Sequence, residues 1–331
     1  MKHSLQKHNQ SGLTLVEILV AMLIGAVLLA GVLSIFINSK QTYQRQEGMS
    51  RIQENGRFAL DFIAHDLRKG DFWGCMRRDA GGPTNNINIG ALAATYDYYD
   101  AGGFGGTDGG IAGNRGQDGS DTLIIRGVTS AGVFITTASA NPTDVLTATA
   151  HGFATNDFIF VTNCNNGDIF QASAVTANTI SHAAAGAPGN SSANLSATYG
   201  TDAQIYSVST IVYSIAPGAS GLPSLFRSVN GTNQELIEGV ENMHVLYGVD
   251  DDATADGAAD YYVTFDQIPA QINGNPGTDR IISVRISLLL QSTSNNIASQ
   301  NTAVFYNGGT SVADRRIRRV VTSTIALRNR L

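Results

Sequence analysis

An uninterrupted apolar run from Leu13 to Ile37 limits what this chain can fold into more than any other feature. As a helix rising ~1.5 Å per residue it is roughly 37 Å long, enough to cross a hydrocarbon core of ~30 Å with some tilt. Glu17, in its opening turns, is the one charged side chain in the run. A carboxylate placed inside a membrane costs roughly 2.5–3.5 kcal/mol, so it is expected to meet a cation and to serve a function. Ahead of the run, Lys2 and Lys7 stand beside His3 and His8. By the positive-inside rule they keep the N-terminus cytoplasmic and send the remainder across the membrane. A secretory signal is cut after its apolar region, whereas here the processing point is Gly12, ahead of it, so the helix survives maturation. An ordinary signal anchor with Glu17 snorkelling to the interface leaves the position of Gly12 unexplained.

Past the run, residues 38–69 contain no Pro and carry Glu47 with Arg51 and Arg57 with Asp61 at i,i+4, a spacing that supports helix. Ile52, Ala59, Leu60, Ile63 and Leu67 recur at helical spacing and form a stripe able to lie on a sheet. Gly70 is a suitable C-cap. Gly25, Gly31 and Gly56 each weaken the helix by up to ~1 kcal/mol, and are read either as close-packing surfaces or as tolerated drift. From residue 71 the pattern changes to short apolar or alternating runs between Gly, Asn and Asp turns, as strands require. The clearest span residues 122–128, 158–161, 204–215, 224–229, 280–291 and 317–327. The glycine-rich segment 101–120, preceded by Tyr96, Tyr98 and Tyr99, lacks a Gly-Lys-Ser/Thr ending and is read as a mobile surface loop. With 36 Gly against 7 Pro and only 15% charged residues, a β-rich, loop-rich head is expected. The fold class is therefore α+β.

The leader ending in Gly12, the stretch Leu13-Thr14-Leu15-Val16, and Glu17 at the fifth position after the glycine resemble the class III signal of type IV pilins and pseudopilins. The resemblance implies a prepilin peptidase that cuts after Gly12 and methylates the freed amine of Leu13, where the family usually has Phe. It also implies that Glu17 neutralises that amine, in the same chain or a neighbour, during assembly. Further along, four stretches are similar to PilW-type minor pilins, relatives of the J-type pseudopilins of type II secretion. They are Phe72-Trp73-Gly74-Cys75, Val161-Thr162-Asn163-Cys164 before Asp168-Ile169-Phe170, a helix-like turn Glu238-Gly239-Val240-Glu241 before Leu246-Tyr247-Gly248-Val249-Asp250, and the closing Ile325-Ala326-Leu327-Arg328-Asn329-Arg330. Residues 181–198 look like an insertion of this chain's own.

That resemblance implies a leader (1–12), a transmembrane helix (13–37), its amphipathic continuation (38–70) and a β-rich head with an inserted module (71–331). It implies a minor pilin anchored by one span in the inner membrane, head in the periplasm, that primes pilus assembly and ends at the fibre tip. Expected partners are other minor pilins, the major pilin, the inner-membrane assembly platform and a large tip adhesin. A type II secretion pseudopilin and a membrane-anchored, calcium-dependent adhesion module are the alternatives. Gene neighbourhood separates the first two, and the Gly12 junction with Glu17 opposes the third.

Cys75 and Cys164 are an even pair in an exported head, which favours one disulfide closing a loop of ~90 residues and contributing ~4 kcal/mol in the chain-entropy model. Two free buried thiols are the alternative. Asp252, Thr254, Asp256 and Asp260, with the Ala258 carbonyl and the turn residue Gly257, match the front half of a Ca²⁺ loop. Thr254 at the third position and Val263 in place of a bidentate Glu leave a solvated acidic turn as the other reading. Arg315, Arg316, Arg318, Arg319, Arg328 and Arg330 form a basic C-terminal region that fits nucleic acid less well than salt bridges, since the chain's net charge is −6. His65, His151, His182 and His244 share no ligand spacing, and no nucleophile elbow accompanies the Ser, His and Asp residues, so no enzyme is expected.

Overall fold

A computed structural model describes residues 14–76, 82–88, 103–109, 119–186, 188–254, 256–306 and 309–330. The apolar run and the amphipathic segment behind it form one unbroken helix, α1 (Leu15–Lys69). Residues 15–44 of it are exposed on every side. From Gly48 onward one face is buried, through Ile52, Gly56, Ala59, Ile63, Ala64 and Leu67. The two i,i+4 pairs form on the opposite face, at 2.8 Å for Arg51–Glu47 and 3.7 Å for Arg57–Asp61.

Behind α1 come β1 (Thr84–Asn85), β2 (Phe104–Thr107), β3 (Thr122–Val128), β4 (Val133–Phe134), β5 (Leu146–Thr147), β6 (Phe158–Thr162), β7 (Gly167–Gln171), β8 (Ala174–Val175) and β9 (Thr179–Ser181). There follow β10 (Gln204–Pro217), β11 (Pro223–Val229), β12 (Thr232–Glu238), β13 (Val240–Val249), β14 (Tyr261–Val263), β15 (Gln271–Ile272) and β16 (Asn275–Pro276). The last are β17 (Ile281–Gln291), β18 (Phe305–Tyr306), β19 (Gly309–Thr310) and β20 (Arg318–Ala326). Each of the six strands expected from sequence is present within two residues of its expected bounds.

A larger sheet runs β1-β7-β6-β10-β11-β12, with β2, β3 and β4 joined to it through β3 and β10. A second sheet runs β14-β13-β17-β20, antiparallel throughout. The buried stripe of α1 lies on β17, β20, β12 and β3, so one apolar core takes residues from the helix and from both sheets. The helix approaches closely because of Gly56: a Cβ there meets both methyls of Val321, at 3.1 and 3.2 Å. Residues 133–203 enclose a second core built on Ile135, Leu146, Phe153, Phe170, Ile180 and Tyr199. A third cluster, holding Trp73, Met76, Phe160 and Tyr206, flanks the Cys75–Cys164 disulfide.

Three local readings change. Gly70 does cap α1, its N–H donating to the Asp66 and Leu67 carbonyls, but its φ is −58° and the left-handed residue is Asp71 at +58°. Glycine is required at 70 by contact: a Cβ falls 2.6 Å from the Phe104 ring and 2.7 Å from Ile125. The stretch 238–241 is a turn between two strands, since Gly239 takes φ +85° and its missing Cβ leaves room for the Gln291 carbonyl 2.7 Å away. The glycine-rich segment is in part a strand: β2 pairs with β3, and Phe104 is fully buried. Residues 110–118 and the three tyrosines before it lie outside the described residues.

Candidate functional site

Helix α1 starts in a reciprocal cap. The backbone N–H and hydroxyl of Thr14 donate to Glu17 Oε2 at 2.9 and 3.0 Å, and the Glu17 N–H donates to Thr14 Oγ1 at 3.3 Å. This capping box satisfies two end donors and puts a negative charge where the helix dipole welcomes it. Gly12 and Leu13, the expected processing residues, lie outside the described residues. The large apolar side chains from Leu15 to Ile37 are 45–74% exposed, so none of the described residues covers them. Among the described residues, this is the one helix long and apolar enough to cross a membrane. A stripe-free apolar surface of this extent needs lipid or the helices of other subunits around it.

The acidic loop joins β13 to β14. Asp250 closes β13 with its N–H on the Arg280 carbonyl, at 3.0 Å, and Asp260 opens β14 with its N–H on the Val249 carbonyl, at 2.9 Å. Between them Gly257 turns the chain at φ +79°. The structure brings Asp252 and Asp260 together and adds Asp250, which the loop pattern omitted: one carboxylate oxygen from each lies within 4.8 Å of the others. Thr254, Asp256 and Ala258 are exposed and stand outside this group, and Asp256 Oδ1 accepts from the Ala258 N–H at 2.8 Å. The charge of Asp260, with some burial and the charges of Asp256, Asp250 and Asp251, raises the Asp252 carboxyl. Burial and the adjacent Asp260 raise Asp251. Asp250 was legible as the last residue of an apolar run, but its role depends on a fold-back that spacing does not encode.

Several polar groups that sequence passed over hold the head together. Asp66, on the apolar face of α1, accepts from Tyr213 Oη and Arg227 Nε. Asp168 is fully buried and accepts from Asn86 Nδ2 at 2.8 Å, from the Ser196 N–H and hydroxyl, and from Tyr199 Oη at 2.5 Å. It thereby ties the segment 188–198 into the second core. His244 pairs with the buried Asp121, its Nδ1 2.9 Å from Oδ2. Two of the C-terminal arginines are internal tethers: Arg318 reaches Glu241 and Asp314 at 2.6 Å each, and Arg330 lies 2.5 Å from Asp71, while Arg319 and Arg328 are exposed. The disulfide ties the segment just past α1 to the β6–β7 hairpin, across 89 residues.

An apolar helix that leaves the head uncovered and carries one carboxylate at its start, followed by a second half packed on antiparallel strands, defines a type IV pilin-like protein. Residues 7–33 match the family model described as Prokaryotic N-terminal methylation motif, and residues 212–329 match that described as Type IV Pilus-assembly protein W. The closing strands of the head are thus similar to the PilW type of minor pilin, and the two matches together support a type IV minor pilin. No curated protein and no solved structure matches it. The second match begins inside β10, so the module of residues 133–203 stands outside it.

Proposed function

We propose that this minor pilin primes type IV pilus assembly within a complex of other minor pilins and ends at the fibre tip. The observation that supports the reading is the division of α1: residues 15–44 are exposed among the described residues, while the residues from Gly48 pack one face on the head. Pulling the apolar half out of the bilayer and into a bundle with other pilins then carries the head along without refolding. A prepilin peptidase cuts after Gly12, and the freed Leu13 amine becomes the cation that Glu17 meets on another subunit or its own chain. The head faces the periplasm while the assembly platform engages the anchored protein. Its added module makes it bulky, which suits a tip better than a shaft and provides a base for an adhesin.

Replacing Glu17 by Ala tests this directly. Processing is expected to persist, with intact mass showing a methylated N-terminus at Leu13, because the cut lies ahead of the helix. Surface pili and co-purified minor pilins are expected to fall, while the protein accumulates in the inner membrane. Normal piliation with unchanged partner recovery removes the assembly role from Glu17. Recovery of secretion-system components in place of pilins assigns the protein to type II secretion.

A further inference from the structure

We infer that the β13–β14 loop binds a calcium ion on the carboxylates of Asp250, Asp252 and Asp260. Their nearest oxygens all lie within 4.8 Å of one another. Calcium takes oxygen ligands at about 2.3–2.6 Å, so two ligands on opposite sides of one ion stand about 5 Å apart and a single ion can touch all three.

An independent observation lies in Asp250 itself. Its side chain is fully buried, and Oδ2 accepts the N–H groups of Asp256 and Gly257 at 3.2 and 3.1 Å. Oδ1 is equally buried and has no hydrogen-bond donor among the described residues. A buried carboxylate oxygen left without a partner is costly, and native structures rarely keep one without an ion or water to serve it. Arg280, beside the loop, does not fill this role: its Nη2 donates to the Asp252 backbone carbonyl. A cation at the three carboxylates supplies the missing partner and relieves the crowding of like charges.

The donor set selects the ion. All three ligands are hard oxygens, with no nitrogen or sulfur to favour a transition metal. Magnesium prefers ligands at about 2.0–2.1 Å in strict octahedral order and gives up its waters reluctantly, which a surface loop with two exposed carboxylates does not demand of it. With Val263 where a bidentate Glu would strengthen the site, affinity falls in the range of extracellular calcium modules, about 10⁻⁴–10⁻³ M. The ligand set differs from the sequence pattern: Asp250 joins Asp252 and Asp260, while Thr254, Asp256 and the Ala258 carbonyl fall outside it.

The test uses the full-length protein in mild detergent, stripped with chelator, and follows its melting temperature as CaCl2 is added, with MgCl2 and NaCl at matched ionic strength. Calcium is expected to raise the melting temperature saturably, with half-effect at about 10⁻⁴–10⁻³ M, and magnesium to need about tenfold more. Asp252→Asn, at an exposed position, is expected to raise the half-effect concentration about tenfold without lowering the chelated melting temperature. Asp256→Asn is expected to shift it less than about twofold, because its carboxylate is outside the cluster. Superimposed calcium and NaCl curves overturn the site. A response lost in Asp256→Asn but kept in Asp252→Asn overturns this ligand set.

Discussion

Arg227 of β11 places its Nε 2.7 Å from Oδ2 of Asp66 on α1, and the same oxygen accepts the Tyr213 hydroxyl of β10 at 2.6 Å. A charged group on the packed face of the helix thus acts as its fastener to the larger sheet. Burial pushes the Asp66 carboxyl up, but the hydrogen bonds from Arg227 and Tyr213 and the charge of Arg227 together outweigh it and hold the carboxyl below its ordinary range. Because the folded group titrates lower than the unfolded one, its contribution is complete above about pH 4 and is lost as pH falls through the folded value. Asp66→Ala is expected to cost about 1–3 kcal/mol at neutral pH by stranding Tyr213 and Arg227. Urea unfolding at pH 7 and pH 3 checks this, with the gap between wild type and variant shrinking in acid.

Reducing the Cys75–Cys164 bond is expected to lower stability by up to ~4 kcal/mol, since it frees a closed loop of about ninety residues in the unfolded chain. Denaturation midpoints with and without reductant measure it. Coincident midpoints rule out a stabilising disulfide.

Asp168 has four donors and no cationic partner in the contacts described above. Asp168→Ala is expected to cost at least about 1–3 kcal/mol because several buried donors lose their acceptor together. Tyr199→Phe removes one of them and is expected to cost about 1 kcal/mol. Limited proteolysis is expected to cut first within residues 181–198 of the Asp168 variant, and equal resistance in both proteins contradicts the tether.

Gly56→Val forces branched carbon against Val321 and Leu290, whose atoms lie 3.1–3.3 Å from the Cβ position, and is expected to cost about 1–3 kcal/mol through overpacking. Gly25→Ala meets nothing within 4 Å and is expected to leave head stability unchanged. Thermal melts of the two variants separate the helix's two halves, because equal effects contradict their division.

Much of this architecture was legible in the chain because its signals are local. The stripe from Ile52 to Leu67 has helical period, and residues 122–128 or 281–291 are apolar runs bounded by turns, so neither needs a distant partner to be recognised. What escaped notice depends on pairing across long separations. Asp66 falls among apolar residues and is explained only by Arg227 and Tyr213, while Asp168 acquires meaning from Asn86 and Tyr199. β2 was hidden because Gly105 and Gly106 have no strand preference of their own, and its pairing is dictated by β3 and the burial of Phe104. The acidic loop is marked in the sequence by its glycine turn, whereas the grouping of Asp250 with Asp252 and Asp260 is not, because Asp250 is delivered by the end of a strand.

Strand β10 changes partners along its length: its first residues, 204–207, pair with β4 and β6, and residues 208–217 pair with β3 and β11. The module of residues 133–203 is consequently not a detachable bead on the pilin head. Cutting it out at its sequence ends removes β4 and β6 from Gln204–Tyr206 and leaves backbone groups there unpaired, an open edge of the kind on which strands from other molecules add. A working graft between heads has to carry Gln204–Ser207 with the module, so its true border runs through the middle of a strand.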